Sequence, residues 1–147
     1  MKKRIIKDFR PYEAPALVSD NVDLVNLVKV FISAPVLHNI CVVNSTGQLA
    51  GMINRKMVFR AVFSHHVAPR SRVSDLLRLL TAETSGEIMV THLVSAIETD
   101  SIDDVIRKII HHNIREIPIL DNEGKVLGFI TILRIMKEWL AEQNIGT

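Results

Sequence analysis

Residues 117–135 read IPILDNEGKVLGFITILRI, and this stretch decides the fold. It begins with a short apolar run, residues 117–120, followed by a polar turn that ends at Gly124. A second apolar run follows and contains Gly128, which completes the signal of a β-hairpin. Beyond the hairpin, apolar residues recur at helical spacing: Ile132, Ile135, Met136, Trp139 and Leu140. The stretch therefore predicts a hairpin that is followed directly by an amphipathic helix.

The same pattern occurs earlier in the chain, in residues 40–58, which read ICVVNSTGQLAGMINRKMV. Two glycines of this copy, Gly47 and Gly51, recur 77 residues later as Gly124 and Gly128. The helix after each hairpin keeps the same offset of 77 residues. Its apolar residues Val58, Phe59, Val62 and Phe63 align with Ile135, Met136, Trp139 and Leu140. Chance would have to supply this agreement twice, so we interpret it as an internal repeat.

A short strand and an amphipathic helix precede each hairpin, which gives every repeat the order strand, helix, strand, strand, helix. The predicted fold class is α+β, with two β-α-β-β-α repeats. For the first helix of each repeat we expect an N-cap at Asp20 or Asn21 and at Asp100 or Ser101, respectively. The predicted segments are an N-terminal arm (1–15), repeat 1 (16–66), a connector with a short helix (67–86), repeat 2 (87–143) and a tail (144–147).

Both repeats resemble CBS domains, the adenosyl-ligand-sensing repeats that work in pairs. The second repeat is the closer match, because IPILDNEGKVLGFIT is similar to the strand–turn–strand signature of the family and Glu87-Ile88-Met89 resembles the usual start of a second repeat. The resemblance covers roughly Ala16 to Leu140. It implies a Bateman module whose repeats pack with pseudo-twofold symmetry. It also implies a regulatory ligand in the cleft between them, AMP, ADP, ATP or S-adenosylmethionine, with no cofactor required.

In this family the segment after the third strand supplies a hydroxyl toward phosphate and a carboxylate toward the ribose hydroxyls. Thr131 matches the hydroxyl position of repeat 2, and Arg134 stands where the carboxylate would be. In repeat 1 the same positions hold Asn54 and Met57, so both ribose-binding carboxylates are replaced. The resemblance implies these ligand-binding residues: Thr131, Arg134, Arg115, Asn54 and Lys56 as polar contacts, and Ile97, Ile117, Pro118, Ile40 and Cys41 as apolar walls.

Several of these residues have a simpler structural interpretation. Thr131 suits a helix N-cap, Arg134 suits a solvated helix position, and the apolar residues suit a plain core. Two functions therefore remain open. One is a ligand-binding sensor that signals to a separate enzyme or transporter, and the other is a ligand-independent dimerisation or docking module with degenerate clefts. Homodimers of the family form through helices, where Phe59, Phe63, Met136 and Trp139 are either exposed for that purpose or buried in the core.

Composition and motifs argue against other functions. A net charge of +2 does not indicate a surface that binds nucleic acid. No apolar run approaches the length needed to span a membrane. The single cysteine and the lack of a signal-peptide pattern favour the cytoplasm. No P-loop, GxGxxG, GxSxG or CxxC motif is present, so we do not expect an enzyme. The pairs His65-His66 and His111-His112 lack the i, i+4 spacing of helical metal ligands, and no metal site is predicted.

Overall fold

The computed structural model describes residues 4–63 and 84–144 and divides the chain into two compact units. The N-terminal unit comprises Ala16–Leu93, and the C-terminal unit combines Met1–Pro15 with Val94–Thr147. The arm therefore belongs to the same unit as the second repeat. The predicted connector helix and the pair His65-His66 lie outside the described residues.

The N-terminal unit has the predicted order of elements. Its helices and strands are β1 (Leu17–Val18), α1 (Leu24–Ser33), β2 (Asn39–Val43), β3 (Leu49–Asn54), α2 (Arg55–Phe63) and the short α3 (Ser85–Ile88). The sheet has the order β1-β2-β3, with β1 parallel to β2 and β2 antiparallel to β3. The core of this unit consists of Val18, Leu24, Leu27, Ile40, Val42, Ile53 and Val58.

The C-terminal unit repeats this architecture and adds the arm. Its elements are a 3-10 helix (Ile6–Phe9), β4 (Ala96–Ile97), α4 (Ile102–His112), β5 (Glu116–Leu120), β6 (Val126–Thr131) and α5 (Ile132–Asn144). The sheet order is β4-β5-β6, with the same parallel and antiparallel pairings as in the first unit. Its core contains Ile6 and Phe9 of the arm together with Ala96, Ile102, Val105, Ile109, Ile117, Ile119 and Ile130. The predicted α+β fold class of two β-α-β-β-α repeats is confirmed.

The two hairpins close with the same turn chemistry. The Asp121 carboxylate accepts hydrogen bonds from the backbone N–H groups of Glu123 and Lys125, at 2.8 and 2.9 Å. Asn44 does the same at the equivalent place in the first hairpin. Gly47 and Gly124 then take positive φ angles of 84° and 81°, which only glycine adopts without strain. The repeated glycines thus reflect a backbone requirement of the turn.

Of the two predicted helix caps, one is confirmed and one is wrong. Ser101 caps α4, because its hydroxyl accepts a hydrogen bond from the N–H of Asp104 at 3.1 Å. The cap of α1 is Asp23, not Asp20 or Asn21. Residues 20–22 have other partners: Gly86 N–H donates to the Asp20 carbonyl, and Val22 N–H donates to the Ser85 hydroxyl. Residues 20–22 therefore bind α3, and α1 starts after them.

A lead-in strand covers the third strand of each repeat. In the C-terminal unit, Glu13 and Phe129 exchange two backbone hydrogen bonds of 3.1 and 2.9 Å. In the N-terminal unit, Val90 and Met52 exchange two of 2.9 and 3.0 Å. Both members of the second pair lie 77 residues from those of the first, so the internal repeat extends to the segments that precede each repeat.

The close approach of the arm explains Gly128. A Cβ atom at this position would lie 2.6 Å from Tyr12 Cβ and 2.8 Å from the Glu13 carbonyl oxygen. The equivalent Gly51 faces the side chain of Met89, whose Cβ would be at 2.9 Å. A methionine can change its rotamer, whereas the arm meets Gly128 partly with backbone.

We expect Gly128→Ala to destabilise the protein by about 1–3 kcal/mol, because the added methyl group must push the arm backbone away from β6 and because the φ of 159° at Gly128 disfavours a side chain. Gly51→Ala is the matched control and should cost less, since Met89 can move aside. Urea unfolding of both variants measures the difference. Equal losses at the two glycines would contradict the proposed role of the arm backbone.

Candidate functional site

The polar side chains best suited to contact a ligand lie at the junction between β6 and α5. Strand β6 ends at Thr131, whose hydroxyl accepts a hydrogen bond from the backbone N–H of Arg134 at 3.1 Å. Thr131 is therefore a helix N-cap, as the simpler interpretation predicts. A hydroxyl that accepts this bond keeps its own proton to donate. The helix it caps runs for 13 residues, so its amino end carries a positive partial charge.

Arg115 lies beside this junction through the backbone. Its carbonyl accepts a hydrogen bond from the N–H of Ile132 at 3.0 Å, and its neighbour Glu116 pairs with Thr131 across the hairpin. Arg115 is exposed to solvent. The fold thus brings Thr131 and the backbones of Arg115 and Arg134 to one end of the second hairpin.

The first repeat has the same arrangement with different side chains. Asn54 caps α2, because its side-chain oxygen accepts a hydrogen bond from Met57 N–H at 2.9 Å. Lys56 is exposed in the first turn of that helix. Arg55 turns away from this end, since its guanidinium donates to the carbonyls of Pro35 and Leu37. This end of the N-terminal unit therefore offers the Asn54 amide and the exposed ammonium group of Lys56.

Arg134 is a partly exposed residue of α5 whose guanidinium has two partners. Its Nη1 donates to the Pro11 carbonyl at 2.9 Å, and its Nε donates to Glu138 at 3.0 Å. Arg4 also contacts Glu138, at 3.1 Å, and packs its guanidinium over the Phe9 ring at 4.1 Å. Two hydrogen bonds hold the pKa of Glu138 below its usual value. The bond from Arg4 has the larger effect, and the bond from Arg134 has the smaller one. We call this group the Arg134 clasp: Arg134, Glu138, Arg4 and the Pro11 carbonyl.

A second clasp, which the sequence did not indicate, ties the arm to the end of β4. Arg10 donates twice to Glu98, from Nε at 2.6 Å and from Nη2 at 2.5 Å, and the Tyr12 hydroxyl donates to the same carboxylate at 2.6 Å. The hydrogen bonds from Arg10 and then Tyr12 lower the pKa of Glu98. Burial is the larger cause that raises the pKa of Tyr12 to about 12, and the hydrogen bond to Glu98 raises it further in the same direction. We call these three residues the Glu98 clasp.

The predicted apolar wall residues have different environments. Ile40 and Ile117 belong to the cores of their units, as the simpler interpretation predicts. Cys41 and Pro118 are equivalent in the repeat, buried, and adjacent to those core residues in β2 and β5. Ile97 is 46% exposed at the end of β4, so it has the accessible apolar surface that a bound base would need.

The second helix of each repeat exposes large apolar side chains. Phe59 in α2 is 64% exposed and its equivalent Met136 in α5 is 60% exposed. Phe63 and Trp139 are also exposed, and the rings of Phe59 and Phe63 lie 5.0 Å apart. The structure therefore places these four residues at the surface of the unit that contains them.

Neither a metal site nor a membrane span emerges from residues 4–63 and 84–144. No group of three or more His, Cys, Asp or Glu side chains in these ranges could hold a metal ion. His111 and His112 are exposed at the end of α4, with their rings perpendicular and 4.9 Å apart. None of the described helices is long and apolar enough to cross a membrane.

Comparison with known proteins identifies a domain family in the second half of the chain. Residues 85–141 match the family model described as the CBS domain. An uncharacterized protein of Methanocaldococcus jannaschii is 25% identical over 152 residues, and the match covers 86% of either chain.

Solved structures share the fold over nearly the whole chain. The CBS domain pair of protein MJ0100, in complex with 5′-methylthioadenosine and S-adenosyl-L-methionine, has a TM-score of 0.73 at 21% identity. The match covers 94% of this chain and 97% of that one. CBSX2 in complex with AMP has a TM-score of 0.74 at 14% identity, covering 95% and 98%.

The lowered pKa of Glu98 leads to a prediction about pH. A carboxylate whose pKa is lower in the folded state stabilises that state above its unfolded value, and this contribution disappears as the pH falls through the folded pKa. Three groups face Glu98, namely Arg10, Tyr12 and Lys7, and both Arg10 and Lys7 favour its charged form. We expect Glu98→Gln to lower the melting temperature at pH 7 and to have little effect once the pH is well below the ordinary value of 4.5.

Thermal unfolding of the two proteins from pH 7 to pH 3 measures this difference. Glu123→Gln is the control, because Glu123 is an exposed acid on the second hairpin turn. A gap between wild type and Glu98→Gln that stays constant with pH would argue against the Glu98 clasp.

Proposed function

We propose a regulatory function for this chain, which is a tandem CBS domain protein with two CBS repeats. The module binds an adenine-nucleotide-type ligand and, when the ligand is bound, signals to a separate partner protein. This function is favoured over catalysis, because the junction of β6 and α5 offers groups for binding but no paired acid and base. The ligand is regulatory, and no cofactor is required.

The observation that carries the proposal is the amino end of α5, which Thr131 caps at the end of the second hairpin. There the Thr131 hydroxyl caps α5, the amino end of this helix carries a positive partial charge, and Arg115 and Arg134 approach through their backbones. Hydroxyl and backbone N–H groups at a helix amino end, together with arginine forks, suit phosphate oxygens. Ile97 supplies exposed apolar surface for the base.

The ligands of similar structures support the chemical class. The solved CBS pairs that share this fold hold AMP, or 5′-methylthioadenosine with S-adenosylmethionine. In this chain an arginine replaces the carboxylate expected for the ribose hydroxyls. This exchange weakens ribose recognition and adds a positive charge, so we propose a phosphorylated ligand, AMP, ADP or ATP, ahead of S-adenosylmethionine, whose sulfonium is cationic.

Signalling requires that the ligand bind two conformations with different affinity, since equal binding to both would shift nothing. We propose that the chain acts in trans on an enzyme or transporter in the cytoplasm. The partner would recognise the conformation that the nucleotide favours.

The second candidate is a ligand-independent dimerisation or docking module. The exposed apolar residues of α2 and α5, in particular Phe59, Phe63, Met136 and Trp139, favour it. They occupy similar faces of equivalent helices, which suits a symmetric interface between two copies. The two candidates are compatible, because a homodimer can also bind nucleotide.

A thermal-shift titration with AMP, ADP, ATP and S-adenosylmethionine tests the sensor. A ligand that binds only the folded state raises the melting temperature with the logarithm of its concentration. We expect ATP or AMP to stabilise the wild type and expect Thr131→Val to lose most of that shift. Thr131→Ser keeps the hydroxyl and should retain it.

Loss of the N-cap itself costs about 1 kcal/mol, so each shift is compared with the same variant without ligand. Ser101→Ala is the matched control, because it removes the cap of α4 in the same unit, and Ser101 is not among the predicted ligand-binding residues. If no nucleotide shifts the wild type at millimolar concentration, the sensor function is wrong and the docking module becomes the preferred function.

Light scattering tests the proposed dimer. We expect the wild type to elute with twice the mass of one chain at 50–100 µM, roughly the range in which a weak dimer of about micromolar affinity is populated. Met136→Glu with Trp139→Glu should give a monomer, since two charges would then face an apolar interface. Lys137→Glu changes an exposed charge on the same helix and should stay dimeric. A wild type that runs as a monomer would exclude the interface at these concentrations.

A further inference from the structure

The C-terminal unit is discontinuous in sequence, because residues 16–93 are inserted between its two pieces. We propose that the arm, residues 1–15, couples the two units through this insertion. The folded N-terminal unit holds its two ends at a spacing that favours docking of the arm on the C-terminal unit, and docking stabilises the N-terminal unit in return. The coupling is a property of the protein without ligand, so it does not depend on the proposed nucleotide.

The inserted segment begins and ends at opposite edges of the N-terminal sheet. Leu17 pairs with Cys41, which pairs with Met52. Met52 in turn pairs with Val90. These four residues form one row across the sheet, so Leu17 and Val90 lie three backbone spacings apart, about 14 Å. Folding of the N-terminal unit therefore fixes the distance between the two ends of the insertion.

The C-terminal unit has the same separation between its two points of attachment. On one edge of its sheet Glu13 pairs with Phe129, which pairs with Pro118. On the opposite edge the unit continues with β4, where Ala96 pairs with Ile119, the neighbour of Pro118 in β5. Glu13 and β4 are therefore also three backbone spacings apart, about 14 Å. The two units thus match in the distance that the connecting chain must span.

Two short links join these points, residues 14–16 after the arm and residues 91–95 before β4. While the N-terminal unit is folded, the arm reaches the C-terminal unit through a connection of nearly fixed length. When the N-terminal unit unfolds, docking must close a flexible loop of roughly 80 residues, which costs more entropy. Effective concentration falls with about the −3/2 power of linker length, so the folded N-terminal unit favours docking by roughly tenfold or more.

The effect is reciprocal, because a coupling free energy acts equally on both partners. A docked arm closes residues 16–93 into a loop, which restricts the unfolded N-terminal unit as a cross-link does. The anchor of this closure is apolar, since Ile6 and Phe9 are fully buried in the core of the C-terminal unit. The Arg134 clasp and the Glu98 clasp add polar contacts to it.

The coupling gives the two CBS repeats a route of communication along the chain. An event that moves β1 relative to Val90 changes the spacing that favours docking of the arm. Weaker docking then loosens the pairing of Glu13 with Phe129, which covers the edge of β6. The state of the N-terminal repeat is therefore felt at a strand edge of the C-terminal repeat.

A longer link tests the coupling, because it changes the connection and leaves the contacts of the arm in place. About 20 Gly and Ser residues, which form a flexible chain, are inserted between Ala14 and Pro15 of the full chain. We expect hydrogen exchange at the amides of Ile6 and Glu13 to become roughly fivefold faster or more, since the effective concentration of the arm falls. The same residues added after Thr147 are the control and should leave this exchange unchanged. Exchange at the wild-type rate in the inserted chain would overturn the coupling.

A second insertion separates the coupling from a local disturbance of the arm. The same Gly and Ser residues between His92 and Leu93 lengthen the other link and leave the arm sequence untouched. We expect this insertion to speed exchange of the Glu13 amide by a similar factor, because both links close the same loop. Either insertion should also speed exchange of the β2 and β3 amides in the core of the N-terminal unit.

An effect of the first insertion alone would indicate a local disturbance and would overturn the coupling. Faster exchange in the arm with no change in β2 and β3 would contradict the reciprocal step and would overturn it as well. Both measurements use the protein without ligand. Failure of the nucleotide titration therefore leaves them unchanged, and failure of the coupling leaves the proposed function standing.

Discussion

The structure depends on the backbone pairing that covers the third strand of each repeat. Two hydrogen bonds between Glu13 and Phe129 do this in the C-terminal unit, and two between Val90 and Met52 do it in the N-terminal unit. The edge of a three-stranded sheet leaves donors and acceptors open, so a lead-in strand protects it. Each lead-in precedes one repeat along the chain and completes the other, because residues 1–15 belong to the unit of residues 94–147. Neither repeat, taken as a continuous segment, contains its own cover.

Side-chain chemistry follows from this pairing. The arm must pass over Gly128, which fixes Tyr12 close to the end of β4 and lets its hydroxyl reach Glu98. The same path brings the Pro11 carbonyl to Arg134. Both clasps thus arise from one backbone register, and both place charged groups near the surface. Surface ion pairs contribute little individually, so the pairs here suit reversible attachment better than permanent stability.

Sequence reasoning succeeded where the signal is local. The hairpins were predictable because Gly47 and Gly124 mark turns and because apolar runs flank them. The N-cap at Ser101 was predictable from its position before an amphipathic helix. Asp23 was missed because residues 20–22 serve a distant helix, which no local pattern reveals. The contact of Arg134 with Pro11 was missed for the same reason, since pairing between residues 123 positions apart leaves no periodic trace. A local signal did exist for the other partner, because Glu138 lies four residues after Arg134, the spacing of a helical ion pair.

The replacement of a carboxylate by Arg134 therefore has a structural explanation beyond the loss of a ribose contact. A carboxylate at this position would repel Glu138, one helical turn away, and could not donate to the Pro11 carbonyl. Arginine satisfies both neighbours and still carries donors suited to phosphate. Arg134 thus links the amino end of α5 to the arm. A side chain that holds the cover of a strand edge and would also contact the proposed nucleotide is the kind of shared contact that can couple binding to another part of a protein.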